Sequence, residues 1–130
     1  MPKEVVHLDG MSEMLKEAKV PLSAAVKANG FVFVSGMPPV DRSTGKIVSG
    51  SMAEQTELVL ENVKAALEAA GSSLDKVVKV NVFVSNAAYF PTVNEIYARY
   101  FPHDPPARTF ATVGAWPMEF DIEIECTALA

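Results

Sequence analysis

The sequence is poor in cysteine, in positive charge and in long apolar runs. Cys126 is the only cysteine, which excludes an intrachain disulfide and a zinc site built from the cysteines of one chain. No stretch approaches the roughly 18 apolar residues of a membrane span. The charged residues 1–4 lead into no apolar core of signal-peptide length. We therefore expect a cytoplasmic protein that does not associate with membranes.

The charge balance limits the possible partners. Sixteen acidic residues against 11 basic ones give a net charge of −5, and no Lys/Arg cluster is present. Binding to nucleic acid or to an anionic membrane surface requires such a cluster, so neither partner is expected. A small molecule or another protein chain fits better, and one arginine can still bind a small anion. His7 and His103 have no third ligand in view, so we expect no metal site.

The remaining composition is that of an ordinary globular protein. The 130 residues, 49% apolar and 21% charged, predict a single domain over residues 1–130. Asn29-Gly30 is a dipeptide favoured in two-residue turns, and it predicts a β-hairpin between Ala24–Ala28 and Phe31–Ser35. A loop is expected from Gly36 to about Gly50.

Two helices and three further strands follow from local signals. Ser51 and Glu54 form a capping box that predicts a helix start, and Gly71 predicts its end after Ala70. Pro91 suits the first turn of a second helix, which Pro102 ends. Alternation places Val78, Val80, Val82 and Val84 on one face of a strand. The three predicted strands span residues 77–84, about 108–113 and about 120–128.

The element order predicts an α+β fold. Two helices can cover one face of a mixed sheet, which gives a two-layer sandwich. On the last strand, Phe120, Ile122, Ile124, Cys126 and Ala128 suit the helix layer, whereas Asp121, Glu123, Glu125 and Thr127 point away from it. The hairpin is apolar on both faces, because Phe31 and Phe33 alternate with Val32 and Val34. Such a strand is normally covered on both sides, so we expect a homo-oligomer.

Four ordered segments resemble one protein family. Pro106-Ala107-Arg108, followed fifteen residues after the arginine by Ile122-Glu123-Ile124-Glu125, is similar to the C-terminal signature of the RidA-type reactive-intermediate (enamine/imine) deaminases. The other matching segments are Phe33–Gly36, Leu60–Lys64 with Ala69–Gly71, and Thr92–Asn94 with Tyr97. Together they cover roughly residues 20 to 130.

The resemblance implies a fold, an assembly and an activity. The implied fold is the chorismate-mutase-like sandwich, assembled as a homotrimer with clefts between subunits. The implied activity is the hydrolysis of amino-acid-derived enamines and imines, such as 2-aminoacrylate, to 2-keto acids and ammonia. An imino or keto acid is then the small-molecule partner, and the resemblance implies neither a cofactor nor a metal.

Arg108 and Glu123 are expected on neighbouring C-terminal strands, and the resemblance also assigns roles to particular residues. The guanidinium of Arg108 can hold the substrate carboxylate through two parallel hydrogen bonds. Glu123 can position and deprotonate the attacking water, and Glu125, on the same strand face, is its rival. Ser35 and Asn94 are expected to orient the substrate. Thr109 is expected to border the cleft with the backbone at residues 108–109.

Two positions depart from the family pattern. Leu22 stands where the family often has a tyrosine, and Phe110 stands where it often has a cysteine. Alternation places Phe110 on the same strand face as Arg108. Both changes favour a substrate with a larger apolar side chain than 2-aminoacrylate.

Other interpretations remain open at this point. Arg108 and Glu123 can form a purely structural ion pair, Ser35 can be a strand-end hydrogen bonder, and Asn94 can tie down a loop. Cys126 is expected to be an inert buried thiol. Leu22 and Phe110 keep open a non-catalytic trimer that binds small carboxylates and regulates a partner. An endoribonuclease, an activity also attached to the wider family, is disfavoured by the net charge of −5.

Overall fold

The computed structural model describes residues 2–130. The strands are β1 Glu4–Val6, β2 Ala25–Ala28, β3 Phe31–Met37, β4 Val40–Asp41, β5 Lys46–Ile47, β6 Val77–Val84, β7 Ala107–Thr112 and β8 Ile122–Leu129. The α-helices are α1 Met11–Glu17, α2 Met52–Ala69 and α3 Phe90–Tyr100.

Six of the strands form one mixed sheet in the order β1-β2-β3-β8-β6-β7, and β4 pairs with β5 beside it. The β6–β7 pair is parallel, and α3 makes the crossover between these two strands. The α+β class predicted from the sequence is confirmed. No helix within residues 2–130 is both long enough and apolar enough to cross a membrane.

The predicted caps of α2 are present. The Ser51 hydroxyl accepts a hydrogen bond from the Glu54 amide at 3.1 Å, and the Glu54 carboxylate accepts one from the Ser51 amide at 3.3 Å. Gly71 follows the helix with a φ of 81°, a conformation that glycine adopts without strain. The apolar side of α2 packs on β3 and β8. Its buried residues are Gln55, Thr56, Val59, Leu60, Asn62, Val63, Ala66 and Leu67.

The predicted hairpin is also present, with Asn29 and Gly30 at φ angles of 53° and 84°. Its two faces differ in exposure, because Val32 and Val34 are buried, whereas Phe31 and Phe33 are 37% and 47% exposed. Strand pairing places Val5 and Val26 in line with Phe33, and Leu129 opposite Phe31. The face of the sheet away from α2 therefore carries an exposed apolar stripe, which we call the open face.

The structure corrects the predicted face of β6. Val78 is 42% exposed and Val77 is buried, because the β6–β8 register shifts between Val77 and Lys79. An extra residue at that point reverses the alternation before it. Val80, Val82 and Val84 are buried as predicted.

The N-terminal region and the predicted loop also hold more structure than expected. The strand β1 and the helix α1 precede the hairpin, and β4 and β5 lie inside the predicted 36–50 loop. These elements span two to seven residues each, too few for hydrophobic periodicity to stand out. In α1, Met11 is buried, and Met14 and Leu15 pack against the core.

Candidate functional site

Arg108 lies on β7, the edge strand, and its guanidinium is surrounded by aromatic rings. The guanidinium carbon lies 4.8 Å from the ring centre of Tyr97, 5.7 Å from that of Phe90 and 5.8 Å from that of Phe110. Phe90 and Phe110 contact each other edge to face, with ring centres 4.9 Å apart. Cation–π contacts of this kind hold a guanidinium in one orientation without neutralising its charge.

The helix α3 supplies two of the three aromatic rings around Arg108, those of Phe90 and Tyr97. Phe90, Asn94 and Tyr97 are spaced by four and three residues, so they share one helix face. Asn94 is half-buried and Tyr97 is buried. We call Phe90, Asn94, Tyr97, Arg108 and Phe110 the arginine half-site. The sequence indicated Asn94, Arg108 and Phe110 as site residues but not the two rings from α3, although their spacing with Asn94 was the available signal.

Arg108 has no acidic partner in the part of the chain that the structure describes. Within residues 2–130, no carboxylate lies within ion-pair distance of its guanidinium. The alternative interpretation from the sequence, a structural ion pair between Arg108 and Glu123, therefore does not hold within a single chain. A half-buried guanidinium without a counter-charge is suited to bind an anion from outside.

Glu123 lies on β8 and belongs to a second group of candidate site residues. Together with Leu22, Ser35 and Gly36 it lines a cavity of about 410 Å³. We call these four residues the glutamate half-site. The Ser35 hydroxyl donates a hydrogen bond to the Ser23 carbonyl at 2.6 Å, so its proton is engaged at the end of β3. Leu22 is 50% exposed and lies at the mouth of the cavity.

The surroundings of Glu123 favour its protonated form. Burial raises the pKa of the Glu123 carboxyl above its ordinary value, and the negative charge of Glu125 raises this pKa further. Glu123 takes part in no ion pair within residues 2–130. A carboxylate with a raised pKa is a stronger base than an exposed one, which suits proton abstraction from water.

Gly36 makes room for this carboxyl group. A β-carbon at Gly36 would lie 2.9 Å from the carboxyl carbon of Glu123, closer than nonbonded carbon atoms approach. Any side chain at position 36 must therefore displace Glu123.

The start of β8 is held by a polar network that sequence reasoning missed. The buried Gln55 accepts a hydrogen bond from the Asp121 amide at 2.9 Å and donates one to the Gly50 carbonyl at 2.9 Å. The Ser85 hydroxyl donates to the Asp121 carboxylate at 2.7 Å. These bonds fix the backbone two residues before Glu123. A polar residue in the first turn of a helix, such as Gln55, gives no local signal of such a distant partner.

The two half-sites lie apart in one chain. The sequence interpretation placed Arg108 and Glu123 on neighbouring strands, but β6 lies between β7 and β8. Arg108 pairs with the buried Val80, and Glu123 pairs with Phe83. Because residues alternate along a strand, the two side chains project from opposite faces of the sheet.

The structure also shows the contacts or burial of three other residues considered from the sequence, Thr109, Cys126 and His7. The Thr109 hydroxyl accepts a hydrogen bond from the Lys79 ammonium at 2.8 Å, and Thr109 projects to the face opposite Arg108. Cys126 is buried, as expected, and burial raises the pKa of its thiol to about 12. The His7 imidazole lies 3.2 Å from Asp9 and 3.3 Å from Glu13. His7, Asp9 and Glu13 thus bring three potential ligand groups together, which corrects the expectation that His7 has no third ligand nearby.

The fold and the two half-sites define an α+β protein with a half-buried arginine that has no acidic partner within residues 2–130 and a half-buried carboxyl group of raised pKa. A family model described as Endoribonuclease L-PSP matches residues 13–130. Reactive Intermediate Deaminase A of the Arabidopsis thaliana chloroplast is 46% identical over 126 residues, which cover 97% of this chain and 65% of that protein. The chain belongs to the endoribonuclease L-PSP family, and its resemblance to RidA-type deaminases is confirmed.

Solved structures agree with this assignment. The crystal structure of a Thermotoga maritima MSB8 protein has a TM-score of 0.89 and 44% identity, and the match covers 100% of this chain and 98% of that chain. The E. coli protein TdcF, solved with bound serine, has a TM-score of 0.78 and 36% identity over 85% of this chain and 88% of that chain. The sandwich fold expected from the sequence is therefore that of solved relatives.

Proposed function

We propose that the protein is a hydrolytic deaminase of enamine and imine intermediates derived from amino acids, with 2-keto acids and ammonia as products. The observation that carries the proposal is the guanidinium of Arg108, held by three rings and without an acidic partner among residues 2–130. A 2-imino acid presents a carboxylate that matches this group. The similarity to Reactive Intermediate Deaminase A and to TdcF with bound serine supports the same chemistry.

The reaction needs only the protein's own side chains. An enamine first takes up a proton at carbon and loses one from nitrogen, which gives the imine. Arg108 holds the carboxylate, and Glu123 accepts a proton from the water whose oxygen bonds to the imine carbon. The imine nitrogen takes up a proton from solvent, so the carbon then carries a hydroxyl and an amino group. Glu123 returns its proton to this nitrogen, the carbon–nitrogen bond breaks, and the hydroxyl loses its proton to solvent as the keto carbonyl forms. Imine and water are thereby converted to keto acid and ammonia, with no change of oxidation state.

A complete site requires both half-sites, so we propose that it forms between two copies of the chain. The arginine half-site lies at the free edge strand β7, and the glutamate half-site lies beside the open face. An interface between two different surfaces of the same chain closes into a ring when the rotation permits. The apolar stripe with Phe31 and Phe33 supports burial of the open face within such a ring, and the proposed ring is a homotrimer.

The assembly makes a prediction about mixed oligomers. Three chains of 14.0 kDa give a particle of about 42 kDa in light scattering. Arg108→Ala and Glu123→Gln should each be inactive, yet their co-expression should restore about one quarter of the wild-type rate, because random mixing leaves about one interface in four with both residues. Co-expressed chains that stay inactive, or a stable monomer at micromolar concentration, would contradict a site shared between copies.

Gly36 provides a test of the position of Glu123. Gly36→Ala should lower kcat at least about tenfold, since the added β-carbon displaces the carboxyl group from its place in the cavity. Gly114→Ala is the matched control, because a β-carbon there meets nothing within 4 Å. Melting temperatures of both variants should stay close to wild type. An active Gly36→Ala enzyme would show that the observed position of Glu123 is not needed for catalysis.

The activity itself can be tested directly. Imines are generated in the assay by an amino-acid oxidase, and the acceleration of ammonia release by the protein is measured. Accelerated release supports the deaminase, whereas saturable keto-acid binding without release identifies the carboxylate-binding protein instead. A parallel incubation with single-stranded RNA tests the activity named in the family description.

A further inference from the structure

The cavity beside Glu123 is lined almost entirely by apolar side chains. Its volume is about 410 Å³, and its walls come from α1, residues 18–24, residues 35–38, Gly45 and Met118. Four of the six methionines of the sequence contribute to it. They are Met11, Met14, Met37 and Met118. Methionine side chains are flexible and polarisable, so they adapt to apolar ligands of different shapes.

Only two lining residues carry a polar side chain, Ser35 and Glu123. The Ser35 proton is engaged by the Ser23 carbonyl, which leaves the carboxyl group of Glu123 as the free polar group of the cavity. An apolar space with so few polar partners holds water poorly. Its volume falls within the roughly 300–1,000 Å³ of typical small-molecule sites.

The position of the cavity relative to Glu123 indicates which part of a ligand enters it. In a 2-imino acid, the carboxylate and the side chain are attached to the same carbon that water attacks. With that carbon beside Glu123 and the carboxylate directed to Arg108 of another copy, the side chain is the group that can point into the cavity.

We propose that this methionine-lined cavity is the side-chain pocket of the enzyme, and that its preferred substrates are imino acids with large apolar side chains. Imines derived from leucine, methionine and phenylalanine belong to this class, whereas those derived from alanine or serine do not. The inference rests on the proposed deaminase function. Each buried CH₂ group contributes about 0.8 kcal/mol, or roughly a fourfold gain in kcat/KM.

The test compares imines generated in the assay from leucine, phenylalanine and alanine. We expect kcat/KM for the leucine and phenylalanine imines to exceed that for the alanine imine at least about tenfold. Met14→Trp fills the cavity and should lower the leucine-to-alanine ratio at least about fivefold. Glu17→Trp, on the exposed side of α1, is the matched control and should leave the ratio unchanged.

The outcomes separate the inference from the proposed function. Three outcomes overturn the side-chain pocket but leave the proposed deaminase function intact. They are equal kcat/KM values for the three imines, a preference for the alanine imine, and a leucine-to-alanine ratio that Met14→Trp does not change. Failure to hydrolyse any imine overturns the deaminase. In that case, calorimetry of keto-acid binding tests the pocket separately. We expect 4-methyl-2-oxopentanoate to bind wild type more tightly than pyruvate does, and Met14→Trp to remove this difference in affinity. Equal binding of the two keto acids overturns the pocket.

Discussion

Glu123→Gln is expected to lower kcat for imine hydrolysis about 100-fold or more, in the range found for loss of a general base. The amide has the shape of the carboxylate but cannot accept the proton of the attacking water. Glu123 forms no ion pair within residues 2–130, so the substitution leaves no buried charge without its partner. Steady-state kinetics give the loss, and a thermal melt close to that of wild type shows that the fold is kept.

Glu125→Gln is the matched control, because Glu125 lies two residues away on the same face of β8. A base must be deprotonated, so the raised pKa of Glu123 makes the rate fall on acidification at a higher pH than an ordinary carboxyl would. The Glu125 charge contributes to that rise. Glu125→Gln should therefore keep the plateau rate and move the acidic limb of the pH–rate profile to lower pH. A loss as large as that of Glu123→Gln would assign the base to Glu125 instead.

Arg108→Lys is expected to lower kcat/KM at least about tenfold, which corresponds to about 1.4 kcal/mol of transition-state stabilisation. Lysine keeps the positive charge but loses the planar pair of donors that matches a carboxylate. It also loses the contact of the guanidinium with the Tyr97 ring, whose centre lies 4.8 Å from the guanidinium carbon. The effect is measured with the imine that wild type hydrolyses fastest.

Arg99→Lys provides the comparison for this change. Arg99 is exposed on α3, and among residues 2–130 its only ion-pair partner is Glu95, at 3.8 Å. The kinetics of Arg99→Lys should therefore match wild type. Substrate analogues without a carboxylate should bind wild type and Arg108→Lys equally. Unchanged kinetics for Arg108→Lys would show that Arg108 attracts substrate only by its charge or serves the structure.

The elements predicted well from the sequence are those with local signals. The ends of α2 depend on Ser51, Glu54 and Gly71, which act within one helical turn. The hairpin depends on Asn29-Gly30, whose positive φ angles are intrinsic preferences of these residues. The two-sided apolar pattern of Phe31–Val34 also appears in the structure, since it requires only strand alternation.

The wrong predictions concern features that depend on contacts between residues far apart in sequence. The register shift at Val77–Lys79 depends on how β6 pairs with β8, and nothing near Val78 in sequence reveals it. The short helix α1 is stabilised by burial of Met11 against the core, whereas helices of this length are marginal by themselves.

The sequence alone determined the fold class, the family and the identity of the two charged residues on which the proposal rests. The fold class follows from periodicity and caps. The family and the two charged residues follow from the resemblance of four ordered segments to the RidA-type deaminases, and all of these are properties of the linear chain. Only the tertiary structure decided that β6 separates their strands, that the two side chains project from opposite faces, and that α1 closes an apolar cavity beside Glu123. The physical reason is that strand order and face are set by which strands pair, and pairing is decided by packing between residues far apart in sequence.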